Sequence, residues 1–143
     1  MEENLKREII MEHYSNPINK ETCTDEHYEK INTRNSSCID NLDIYILFSD
    51  DNKITDIKFN GEACAISISS TSIMIKNLIG MAVDEALEYV NNFENMVNEK
   101  EYNDEILNEA LAYDTIYKQN SRKTCALLPY TGIKKILLSK KNN

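Results

Sequence analysis

Apolar positions along the chain follow two periods, and the switch between them orders the elements. Residues 3–15 place Leu5, Ile9, Ile10, Met11 and Tyr14 at near-helical spacing, and Pro17 marks the end of that helix. Residues 18–37 are polar, with Asn32, Thr33, Asn35, Ser36 and Ser37, and read as an irregular arm. The period then becomes two. Leu42, Ile44, Ile46 and Phe48 share one face of a strand, Ser49 to Asn52 form a turn cluster, and Ile54 to Phe59 return as the second strand of a hairpin. From Ala65 to Leu78 the helical period resumes through Ile66, Ser69, Ser70, Ile73, Met74 and Asn77, with Gly80 as a stop. Two amphipathic helices follow, over residues 84–98 (Ala86, Leu87, Val90, Phe93, Val97) and 104–118 (Ile106, Leu107, Ala110, Leu111). A last helix over 122–138 contains Pro129, which should bend it or delay its start. Helix, strands, then helices predict an α+β fold, a small antiparallel sheet with helices packed on it.

Composition narrows the class. A chain of 143 residues, 41% hydrophobic and 28% charged, has the size and make-up of one globular domain spanning residues 1–143. Sixteen basic against 24 acidic residues give a net charge of −8, with no cluster of lysines and arginines, so no nucleic-acid partner is expected. The least charged window, residues 63–83, still carries Lys76, four serines and Thr71, too polar for a membrane span. Charges interrupt any apolar run in the N-terminal MEENLKREIIMEHY, unlike a signal peptide, and the expected location is cytoplasmic. The four cysteines are then thiols or metal ligands rather than disulfides.

Three of them fall at element boundaries. Cys38 precedes the first strand of the hairpin, with Asp40 two residues on; Cys64 lies between a strand and a helix; Cys125 lies near the start of the last helix. Segments meeting at one end of a sheet can bring such residues together, and thiolates with a carboxylate suit tetrahedral zinc. The spacing matches no common zinc-finger pattern and contains no Cys-x-x-Cys pair, so spacing alone favours burial as small hydrophobes at this point.

Longer motifs point to a family. Glu12 to Lys20 (EHYSNPINK) resembles the DHYxNPRN segment of the IscU/SufU (NifU N-terminal-like) iron–sulfur assembly proteins. Cys38-Ile39-Asp40 resembles their Cys-Gly-Asp motif, and Phe59 to Ser67 (FNGEACAIS) their FxGxGCxIS motif, followed as here by a serine-rich helix. Lys100-Glu101-Tyr102 and Arg122 to Leu128 (RKTCALL) resemble the KEY and RxxCATL segments of the SufU branch. The scaffold branch has a histidine immediately before its last cysteine. Thr124 stands there in this chain, and residues 95–120 resemble the SufU insertion.

The resemblance implies a zinc-dependent sulfurtransferase that accepts persulfide sulfur from a SufS-type cysteine desulfurase and relays it to downstream iron–sulfur assembly proteins. It makes Cys38, Asp40, Cys64 and Cys125 the zinc ligands and Cys38 the sulfur acceptor. Arg122, one helical turn before Cys125, would stabilise negative charge there. Two alternatives remain open: a scaffold holding a transient iron–sulfur cluster on the same residues, and a structural zinc-binding paralogue. The chain departs from the pattern at Ile39 and Ala63, which replace glycines, and at Pro129. A β-branched residue is strained wherever that first glycine takes φ > 0. Outside the motifs, Cys23 and His27 at i, i+4 read as incidental and His13 as structural, capping or packing at its helix end. The scattered tyrosines read as core or edge aromatics, the acidic run from Glu99 to Glu105 as a solvated face, and the Ser67 to Ser72 cluster as small residues for close packing on the sheet.

Overall fold

Alternation in the hairpin decides which face of the sheet is buried. In the computed structural model, which describes residues 1–36 and 39–142, β1 (Glu29–Arg34), β2 (Asn41–Phe48) and β3 (Ile54–Glu62) form one antiparallel sheet in that order. Ile44 lies opposite Phe59 and Ile46 opposite Ile57; these four, with Leu42, are fully buried on one face. The register slips between Leu47 and Phe48, which leaves Phe48 only half-buried, out of step with the rest of its row. At the other end Leu42 faces Gly61, whose φ is +128° and whose added Cβ would stand 2.2 Å from the Asn41 carbonyl oxygen. Only glycine fits there.

The polar arm expected before the hairpin contains a strand. β1 escapes the alternation test because it is an edge strand in which Thr33 alone is buried. Its inner face is covered by the last helix: a Cβ at Gly132 would lie 2.9 Å from the Thr33 Cβ, so helix and strand meet closely at that residue.

Helix α1 (Glu3–Ser15) and helix α2 (Ala65–Leu78) match the expected spans. Helix α3 (Val83–Val97) presents Phe93 to Tyr130 of the last helix, rings stacked at 3.9 Å, with Tyr89 and Tyr113 beside them. Each such ring pair contributes about 1 kcal/mol beyond area burial. The helix expected over 104–118 is instead three short 3₁₀ segments, Asp104–Ile106, Asn108–Tyr113 and Ile116–Lys118. Asn108 takes φ +50°, a left-handed conformation that asparagine tolerates and that no α-helix can run through. The last helix, α4 (Asn120–Lys141), starts earlier than expected and runs through Pro129. Proline removes the amide that would bond the Cys125 carbonyl, and that carbonyl accepts the Ser67 hydroxyl at 3.1 Å. Ser70 and Thr33 likewise donate to the Ala126 and Leu128 carbonyls. Hydroxyls from α2 and β1 thus serve the turn that the proline opens.

Helix α2 packs chiefly between α1 and α4, with a smaller contact to the sheet at β3. No helix among the described residues is long and apolar enough to cross a membrane. Gly61→Ala should lower unfolding free energy by about 2 kcal/mol or more, from left-handed strain plus backbone overlap. Gly80→Ala, at φ +95° with open space around the added Cβ, should cost about 1 kcal/mol from the dihedral alone. Urea titration of the two variants checks the order, and equal losses would contradict it.

Candidate metal centre

A helix start has amides with no partner inside the helix, and α2 recruits a carboxylate for one of them. Cys64 occupies the N-cap position, and its own side chain makes no capping bond. The cap comes from Asp40, just before β2: Oδ1 accepts the Cys64 amide at 2.7 Å and Oδ2 accepts the Ser67 hydroxyl at 2.6 Å. Asp40 is 1% exposed. A buried carboxylate is tolerated only where donors surround it, and the positive end of a helix adds a favourable field.

The Cys64 thiol points back to the same carboxylate, 3.5 Å from Oδ2, and lies 3.6 Å from the Ser67 hydroxyl. Cys125 comes to this point from α4. The ligand atoms of Asp40, Cys64 and Cys125 all lie within 4.8 Å of one another. Burial, then the neighbouring Asp40 carboxylate and Cys64, push the Cys125 thiol well above its ordinary value. Three groups able to carry negative charge therefore share a largely buried spot. A divalent ion would reverse that penalty, and two thiols with a carboxylate are a donor set that zinc accepts.

The other sequence candidates fall elsewhere. Cys38 lies outside the described residues, so its placement relative to the cluster is not assigned. Residues 21–28 are not helical, so Cys23 and His27 do not share a helix face; the His27 ring is exposed and pairs with Asp25 at 2.8 Å. His13 is buried, with Nδ1 2.7 Å from the Ser72 hydroxyl and Nε2 3.2 Å from Glu109, a staple joining α1, α2 and the second 3₁₀ segment. Arg122 is exposed and lines a groove of about 270 Å³ with Lys6, Arg7, Ile10, Ile66 and Ile116. Ile39 is 74% exposed. Ala63 is not among the described residues with positive φ, so its methyl group costs no backbone strain. The sequence pattern marks Ser67 only as a small packing residue. Its spacing of three from Cys64, one helical turn, is the signal that places it on the same face.

Comparison with known proteins bears on this arrangement. The family model for the NifU-like N-terminal domain matches residues 5–126. The chain belongs to that family. Within it, the chain is 34% identical over 132 residues to the zinc-dependent sulfurtransferase SufU of Bacillus subtilis (strain 168), covering 92% of this chain and 88% of that protein. It is 28% identical over 104 residues to the iron–sulfur cluster assembly scaffold protein IscU of Thermotoga maritima, covering 73% and 72%. A crystal structure from Fervidobacterium islandicum AW-1, described as an iron–sulfur cluster assembly scaffold for the SUF system, superposes with a TM-score of 0.85 at 35% identity, over 91% of this chain and 94% of that one. The family fold is the three-stranded antiparallel sheet with packed helices described above, and Asp40, Cys64 and Cys125 lie on three separate segments of it.

The raised Cys125 thiol has a measurable consequence in metal-free protein. The thiolate is the reactive form, so a raised pKa lowers its fraction at a given pH. At pH 8 iodoacetamide should modify Cys125 at least about tenfold more slowly in the native state than in urea-unfolded chain. The native rate should keep climbing through the alkaline range. Peptide mapping reads the rates, and equal native and unfolded rates would contradict the burial argument.

Proposed function

We propose that the chain is a zinc-dependent sulfurtransferase that accepts sulfur from the persulfide of a cysteine desulfurase and passes it toward iron–sulfur cluster assembly. The observation that carries this reading is the convergence of Asp40, Cys64 and Cys125 within 4.8 Å, at the join of three separate elements. The SufU relative, named for that activity and matched over most of both chains, supports it. Cys38 is the fourth ligand and the acceptor in this reading. It stands two residues before the anchored Asp40, a tether of about 7 Å at most.

Bound zinc at this donor set supplies a positive charge that holds thiols as thiolates at neutral pH. The rest is the chain's own work. The Cys38 thiolate attacks the terminal sulfur of the donor persulfide. A new S–S bond forms on Cys38, the donor's S–S bond breaks, and the donor cysteine leaves as thiolate. Asp40 and Cys64, tied to the start of α2, and Cys125 on α4 keep the three-ligand frame while Cys38 reacts.

A second reading has support in the IscU relatives: the same residues would hold a nascent cluster rather than pass sulfur on. Metal and acid-labile sulfide content of anaerobically purified protein separates the two. The transfer reading expects about one zinc per chain, no sulfide and no colour. Iron with sulfide in a brown protein would put the scaffold first. Incubation with a cysteine desulfurase and cysteine should then leave Cys38 heavier by one sulfur atom in an intact-mass spectrum, and Cys38→Ser should abolish both that adduct and the stimulation of the desulfurase. Unchanged stimulation by Cys38→Ser would overturn the acceptor role.

A further inference from the structure

One hydroxyl touches all three segments that carry the described ligands. Ser67 is fully buried on the first turn of α2. Its Oγ lies 2.6 Å from Asp40 Oδ2, 3.6 Å from Cys64 Sγ and 3.1 Å from the Cys125 carbonyl oxygen. The last contact exists because of the sequence four residues further on. In an α-helix the carbonyl of residue 125 is served by the amide of residue 129, and residue 129 is proline. The Cys125 carbonyl therefore lacks its helical donor, and the Ser67 hydroxyl lies against it at 3.1 Å, its single proton shared between this carbonyl and Asp40. The short contact to Asp40 falls in the range of a hydroxyl bonded to a charged carboxylate, the stronger of the two acceptors.

We propose that Ser67 is the positioning residue of the metal centre: its hydroxyl fixes the orientation of the Asp40 carboxylate and ties the backbone of Cys125 to the same point. Through it a slide of α4 along α2 disturbs Asp40, and a rotation of Asp40 breaks the 2.6 Å bond to Ser67. The ligands are thus set in place before any ion arrives, which is how a second layer of hydrogen bonds tunes metal affinity. Ser70 provides an internal control. It is equally buried and makes the same kind of α2-to-α4 bond, 2.7 Å to the Ala126 carbonyl, a residue that is not one of the ligands.

The inference rests on the zinc reading above, and the experiment keeps the two apart. Zinc affinity of the full chain is measured by competition with a chromophoric chelator, beside the melting temperature of the metal-free form and the visible spectrum of the cobalt(II)-substituted form. Ser67→Ala should weaken zinc binding by about 10- to 100-fold and shift the cobalt bands. Ser70→Ala should lower the metal-free melting temperature to a similar extent while changing zinc affinity less than about threefold. Ser67→Thr, which keeps the hydroxyl, should bind zinc more tightly than Ser67→Ala. Equal zinc affinities for Ser67→Ala and Ser70→Ala would overturn the positioning role and leave the zinc reading standing, whereas a parent chain that binds no zinc would overturn both. Should Ser67→Ala fail to fold, the unmodified protein carries the test. The Ser67 hydroxyl proton should exchange slowly, give its own resonance and shift when zinc is added; a resonance indifferent to zinc would overturn the proposal.

Discussion

The bond from the Cys64 amide to Asp40 is the constraint on which the site depends. A carboxylate that is almost wholly buried must be matched by donors, and the first turn of α2 supplies them, an amide at 2.7 Å and a hydroxyl at 2.6 Å. The same bond gives α2 the cap that Cys64 does not provide for itself. It also fixes the distance between the segment before β2 and the segment after β3. Those segments are already neighbours because Asn41 pairs with Glu62 at the end of the hairpin. The ladder brings them close, and the carboxylate sets their final separation.

Cys125 is held by different means. Helix α4 is pinned at its middle by the aromatic stack around Tyr130, and on its other side by the close approach of Gly132 to Thr33. Pro129, a departure from the family pattern, sits just before these anchors and one turn after the ligand. Proline inside a helix usually costs about 3 kcal/mol, and the loss is offset here because hydroxyls of α2 and β1 bond the carbonyls of that turn. The serines of α2 are therefore hydrogen-bonding groups as much as small side chains: Ser67, Ser69, Ser70 and Ser72 each reach a partner on another segment.

Much of this was legible in the sequence, and the failures have physical causes. The hairpin and α3 followed from period, since each buries a regular apolar row, and α2 is apolar or small nearly all round. Helix α1 has the expected span but leaves Leu5, Met11 and Tyr14 exposed and buries Lys6 and His13 instead. β1 did not, because an edge strand needs only one inward residue, and Thr33 gives no hydrophobic signal. Residues 104–118 carry a helical pattern but contain Asn108, whose left-handed backbone interrupts it without a glycine or proline to announce the break. Asp40, Cys64 and Cys125 were legible as boundary residues, and the family motifs ordered them. What no spacing rule could show is that Ser67 bonds to Asp40 and Cys125 at once, because that depends on how α2 and α4 cross.

On the proposed reading, thiols and a carboxylate on three elements form a zinc site with Cys38 as the remaining ligand. X-ray absorption at the zinc edge of the purified protein tests it most directly. The expected result is a mixed shell of three sulfur atoms at about 2.3 Å and one oxygen at about 2.0 Å. A shell of nitrogen and oxygen alone, or an iron edge with a short iron–iron vector in place of zinc, would contradict it.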